Sequence, residues 1–274
     1  MATCHLLAWA RRQSYCLQKP IFYIPKDDAL PDESRTEPHP LRTDQLLVRH
    51  HEVYHTFQIF SRLVSGDTDT GLEIEKGGKL TPTNWLPSMD GKVPVRLDRM
   101  CLAGHSFGGC TVFSILSSKP PEGHSEIPVS HALIYDPWLE PFSTPGPLPV
   151  LADKTDDAKP RDDLPRMLVM NSEPFTRWDD HFSELQTAVR KWGPEARLLT
   201  LDFSDFTWLP FVRKKSKRIL LEHMENMSIS FLDGNIEERL KDLPPCKFEI
   251  RVGKKRNGSP KREIVGELGD VIVH

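Results

Sequence analysis

Apolar and polar positions along this chain change period several times, and the changes mark its elements. Between Leu41 and Val64 the apolar residues Leu46, Val53, Phe57, Phe60 and Val64 recur near helical spacing, which predicts one amphipathic helix. Gly66–Lys92 is polar and rich in glycine, so a loop is expected there. Short apolar runs then follow at Arg99–Ala103, Ala132–Tyr135, Met167–Met170 and Arg197–Leu201. Each is too short for a helix and reads as a buried strand. Between and after them lie helical patterns at Phe107–Ser117, at Asp180–Trp192 with Phe182, Leu185, Val189 and Trp192 on one face, and at Pro210–Leu232. Strands alternating with helices imply βαβ units, hence an α/β fold with a mostly parallel sheet flanked by helices.

The ends are patterned differently. Residues 1–40 are irregular apart from a short strand at Ile21–Ile24, and no internal repeat runs through the chain. After Asp233 the sequence is polar, with a basic stretch at Lys254–Arg262. The expected organisation is therefore an irregular segment 1–40, an α/β domain 41–232, and a polar, partly disordered extension 233–274.

Composition narrows the function classes. The 36 Lys and Arg against 39 Asp and Glu give a net charge of −3, which argues against a nucleic-acid-binding protein. The 24 prolines gather in Pro20–Pro40, Pro137–Pro149 and Pro244–Pro260, where long loops are expected. Five cysteines, an odd number with no CxxC pair, favour reduced thiols. Leu6–Ala10 is a short apolar run with no basic residue before it, unlike a signal peptide, and no run approaches a membrane span. A cytoplasmic setting is the expectation.

Gly104-His105-Ser106-Phe107-Gly108, followed by Gly109, is the pattern G-x-S-x-G. By residue usage alone it turns up in roughly one chain in ten of this length, so its setting carries the weight. An apolar strand precedes it and a helix follows, which is what a nucleophile elbow requires. Ser106 is the candidate nucleophile. The helix start would aim its free N–H groups and positive dipole end at the site, with the Phe107 N–H as an oxyanion donor. Asp136 ends the strand Ala132–Tyr135, where a carboxylate reaches the carboxyl edge of a parallel sheet; it is the candidate acid.

Four segments, in order, resemble the platelet-activating factor acetylhydrolase family: Gly104–Gly109, Tyr135-Asp136-Pro137-Trp138-Leu139-Glu140-Pro141, Met170-Asn171-Ser172-Glu173-Pro174-Phe175, and Phe203-Ser204-Asp205-Phe206. The resemblance spans roughly residues 40–232. It implies an α/β-hydrolase fold and calcium-independent, cofactor-free hydrolysis of the short sn-2 acyl (acetyl) ester of platelet-activating factor and oxidised phospholipids. Ser106 would attack the ester, a histidine would carry the proton, and Asp136 would orient that histidine. The implied partner is a phospholipid with a short sn-2 chain, with transient contact at a membrane surface.

Two departures from the family pattern stand out. Leu199-Thr200-Leu201 runs through Asp202 straight into Phe203, where the family carries its histidine loop. The early His-Gly segment that supplies a second oxyanion donor is missing too, and the N-terminal strands of the fold are too few. One lost donor costs about 10²–10³ in rate, and a triad lacking a member keeps about 10³–10⁴ over water. The alternative reading is thus an inactive or truncated relative, acting at most as a lipid-binding or interaction module. A mis-spliced product of an active enzyme would account for both gaps. His181, His223 and His274 have the chain order to replace the histidine, but neither His181 nor His223 falls on a strand-to-helix loop.

Other features read as background. His51-Glu52-Val53-Tyr54-His55 matches the zinc-peptidase pattern H-E-x-x-H, yet both histidines fall opposite the apolar stripe. No metal is expected. The cluster Lys214-Lys215-Ser216-Lys217-Arg218 reads as a solvated face, with lipid phosphate as the alternative partner, and Lys254–Arg262 reads as a disordered tail, with a nuclear address or polybasic tail as the alternative. Trp138, Phe142 and Trp208 are expected in packing, as are Cys101 and Cys110 beside the elbow.

Overall fold

Strand-forming runs rich in Leu, Met and Val assemble into a five-stranded sheet in the computed structural model of the chain. The structure describes residues 39–67, 95–142, 164–201, 214–254, 258, 260–266 and 270–274, with backbone alone at 214–219, 260 and 261. The expected strand at Ile21–Ile24, most of the loop 66–92, the Phe203–Phe206 segment and Trp208 lie outside the described residues, as do the side chains at 214–218.

The elements are α1 (Pro40–Val64), β1 (Met100–His105), α2 (Phe107–Leu116), β2 (Val129–Tyr135), β3 (Arg166–Ser172), α3 (Glu173–Thr176), α4 (Asp179–Trp192), β4 (Ala196–Leu201), α5 (Lys214–Leu232), α6 (Ile236–Lys241), β5 (Ile250–Lys254), β6 (Pro260–Ile264) and β7 (Val271–Val273). The main sheet has the order β1-β2-β3-β4-β7, and β5 pairs with β6 separately. β2 is parallel to β3 and β3 to β4, whereas β7 runs antiparallel to β4. The fold class is α/β, as the alternating pattern predicts. Among the described residues β1 is one edge of the sheet.

The chain divides into two compact units, residues 1–100 with 119–128, and residues 101–118 with 129–274. In the first, α1 buries Leu46, His50 and Tyr54, one residue per turn. The buried stripe thus runs through a histidine and a tyrosine, while Val53, Phe57 and Phe60 are only half-buried. His124 packs its ring against His51 and Tyr54.

In the second unit both faces of the sheet are covered, because side chains alternate along each strand. Ala132, Ile134, Met167, Val169 and Leu198 face Val112 and Phe113 of α2 and Phe182, Leu185, Val189 and Trp192 of α4. Leu133, Leu168, Met170, Leu199 and Leu201 face Leu220, Met227 and Phe231 of α5, with Ile236 and Val271.

The extension after Asp233, expected to be polar and partly disordered, carries α6, the β5–β6 hairpin and β7 among its described residues. Its strands carry no sequence signal because β5 and β6 are charged and β5 is largely exposed, so neither shows an alternating pattern. β7 is only three residues long, but Val271 and Ile272 are buried against β4.

Candidate active site

Ser106 stands between β1 and α2 at φ 56° and ψ −118°, a left-sided conformation that L residues other than glycine seldom adopt. The surrounding backbone holds it there. Its N–H donates to the Tyr135 carbonyl at 2.9 Å, and its carbonyl accepts from the N–H of Cys110 (3.1 Å) and of Trp138 (3.1 Å). These bonds tie the serine to the segment that carries the acid.

The glycines of the motif do different jobs. A Cβ on Gly104 would lie 2.2 Å from the Gly108 carbonyl oxygen and 2.7 Å from the Gly109 nitrogen, so the sharp turn requires glycine there. A Cβ on Gly108 would meet nothing within 4 Å. Of the two glycines that flank Ser106 two residues away, Gly104 alone makes room for the doubling back of the chain. Gly109, outside the five-residue pattern, is the second tight position: its Cβ would lie 3.0 Å from Pro137 Cα.

Asp136 follows β2 at φ 42°. Its N–H donates to the Met170 carbonyl at 3.0 Å. Its carboxylate Oδ1 accepts the Ser172 N–H at 2.6 Å. Burial pushes the Asp136 carboxyl above the usual carboxylate range, against the opposing pull of the Ser172 hydrogen bonds and the charge of His105. Ser106, Asp136 and the end of β3 at Ser172 thus meet at the carboxyl edge of the sheet. Phe107 opens α2, and its ring tilts against Trp138 at 6.2 Å between centroids.

Among the described residues, none of the three replacement histidines hydrogen-bonds Ser106. His181 is buried and accepts the Leu139 N–H at Nε2, 3.1 Å. Trp178 stacks on it at 4.6 Å and Phe175 meets it edge-on. Burial lowers its pKa, with the Pro137 carbonyl and Glu140 pulling the other way. His181 is therefore a neutral brace under the acid loop Pro137–Leu139, a role its position in the sequence did not suggest. His274 Nε2 bonds Thr200 Oγ1 at 2.8 Å, and its ring meets Phe182 and Phe248. Burial pushes His274 down to about 4. His223 is a half-buried residue of α5. Among the described residues no hydrogen bond joins Ser106 Oγ to a histidine. His105, directly before Ser106, is the histidine whose charge bears on Asp136.

His51 and His55 are exposed on α1, and no group of three or more His, Cys, Asp or Glu able to hold a metal occurs among the described residues. Cys110 is buried, and burial pushes its thiol up to about 12. Cys101 is exposed on β1, contrary to its reading as a core residue, because β1 lies at the edge of the sheet. Trp138 donates its indole N–H to Glu140, and Phe142 packs on the core beside α4. No described helix is long and apolar enough to cross a membrane.

A mostly parallel sheet covered on both faces, with a strained serine between strand and helix, is the architecture of the α/β-hydrolase class. The model of the family described as platelet-activating factor acetylhydrolase, isoform II, matches residues 26–244. The chain belongs to that family, which places it among hydrolases of phospholipid esters. Residues 245–274, with the β5–β6 hairpin and β7, lie beyond the match. A comparison with curated proteins found no match.

Proposed function

We propose that the chain hydrolyses the short sn-2 acyl ester of platelet-activating factor-like phospholipids, with Ser106 as nucleophile. The carrying observation is the backbone of Ser106, held at φ 56° by hydrogen bonds from two neighbouring segments. Strain of this kind costs of order 1–3 kcal/mol and gathers at functional sites. In this reading Ser106 Oγ adds to the ester carbonyl and the lysophospholipid alcohol leaves with the serine proton. Water then releases the short acid. The Phe107 N–H, first in α2, stabilises the oxyanion, and the Asp136 carboxylate orients the group that carries the proton.

One observation favours a second reading, an inactive relative that retains the fold. His181 and His274 both have Nε2 engaged in structural hydrogen bonds, and among the described residues neither bonds Ser106. Hydrolysis of a short sn-2 acyl phospholipid analogue, compared with Ser106→Ala, separates the two. Turnover lost in the variant supports the serine esterase. Equal background rates in both proteins reject it and leave the inactive relative. Platelet-activating factor and a long-chain phosphatidylcholine in the same assay test the substrate class.

A further inference from the structure

The β5–β6 hairpin is the part of the fold that neither the family nor the proposed chemistry explains. Between Lys247 and Glu263 the sequence carries seven Lys and Arg against two Glu, a local charge of +5 in a chain whose net charge is −3. The pairing runs from Ile250 opposite Ile264 to Lys254 opposite Pro260. It therefore sets Ile250, Val252 and Lys254 on one face, and Arg251 with Gly253 on the other. Val252 is 66% exposed between the exposed cations Arg251 and Lys254. An isolated two-stranded hairpin is marginal in water, so this one depends on what fastens it.

Its fastening is specific. Glu173 Oε1 accepts the Ile264 N–H at 3.0 Å and pairs with Arg177 at 3.3 Å. Arg177 in turn donates to the Arg262 carbonyl, and the Arg262 guanidinium pairs with Asp179. Phe248, at the base of the hairpin, packs on Phe182 and His274. Glu173 directly follows Ser172, whose N–H holds Asp136. The clasp thus fixes the hairpin at the carboxyl edge of the sheet, where Ser106 and Asp136 lie.

We propose that the β5–β6 hairpin is a docking surface for anionic phospholipid bilayers, met edge-on, so that Lys254 with Val252 on one face of the ribbon and Arg251 on the other both reach the headgroups. Cations match an anionic leaflet, and an exposed apolar residue between them suits an interface better than it suits nucleic acid, which is gripped by cations and stacking aromatics. Docking here presents the sheet edge to lipid. The inference does not depend on Ser106, because binding needs no turnover.

Vesicle co-sedimentation of the whole chain tests it. Vesicles of phosphatidylcholine with phosphatidylserine are compared with phosphatidylcholine alone, at about 0.1 M and about 1 M salt, where the screening length falls from about 10 Å to about 3 Å. Each cation near such a surface is worth about fivefold in binding, so Arg251→Ala with Lys254→Ala is expected to weaken binding about 30-fold. Val252→Asp is expected to weaken it as well, and Lys191→Ala on α4 to leave it unchanged. All the side chains changed are exposed, and an unaltered melting temperature checks that each variant is folded. Equal binding to both vesicle types, wild-type binding by the double variant, or tighter binding to a duplex oligonucleotide than to the anionic vesicles would each overturn the proposal.

Discussion

Replacing Gly104 by alanine places one methyl group where the turn has no room. The added Cβ would sit 2.2 Å from Gly108 O, 2.4 Å from Gly108 C and 2.7 Å from Gly109 N, all backbone atoms of the first turn of α2. Real Cβ atoms essentially never come closer than 3.0 Å to such neighbours, and backbone cannot rotate aside as a side chain can. The strand or the helix must shift. Forced overpacking costs typically 1–3 kcal/mol, and a backbone obstacle puts this case at about 3 kcal/mol. For a unit of this size each kcal/mol lowers the melting temperature by about 2–4 °C, so a fall of about 6–12 °C is expected. Gly108→Ala is the internal control, since its Cβ meets nothing within 4 Å. It lies within α2, where alanine is favoured over glycine by roughly 0.5–1 kcal/mol, so its melting temperature should hold or rise slightly. Thermal unfolding followed by circular dichroism and tryptophan fluorescence reads both. A Gly104→Ala loss under about 1 kcal/mol, or equal losses in the two variants, would refute the assignment of the tight approach to Gly104.

Three further outcomes are expected. Ser106→Gly fits φ 56° without a Cβ, so it should abolish turnover while stability stays level or rises by up to about 1 kcal/mol; a loss larger than that would mean the serine is unstrained. His181→Ala leaves the buried Leu139 N–H unpaired and a gap beside Trp178, for a loss of about 2–4 kcal/mol in urea unfolding; an unchanged midpoint would remove the bracing role. The folded chain holds His274 at about 4, below its ordinary value of 6.5. That contribution is complete above pH 6.5 and is lost as pH falls through about 4. Melting temperature should drop along that range, less steeply in His274→Phe, and identical slopes would exclude the residue.

The sequence alone determined β1 to β4, the longer helices between them and the place of the elbow. Hydrophobic period follows from local geometry, and strands such as Met167–Met170, buried on both faces, announce themselves as continuous apolar runs. It also pointed to Ser106 and Asp136, because parallel strands bring their carboxyl ends to one edge. Tertiary structure alone decided which glycine the turn needs, since that depends on how closely Gly108 approaches Gly104. It likewise made His181 a brace and His274 a partner of Thr200, because what a ring nitrogen faces is set by residues distant in sequence. The extension after Asp233 was illegible for the same reason. β5 and β6 are polar strands held by Glu173 and Arg177, and β7 is three residues completed by β4. Elements this short or this polar carry no period of their own, and only their partners make them strands.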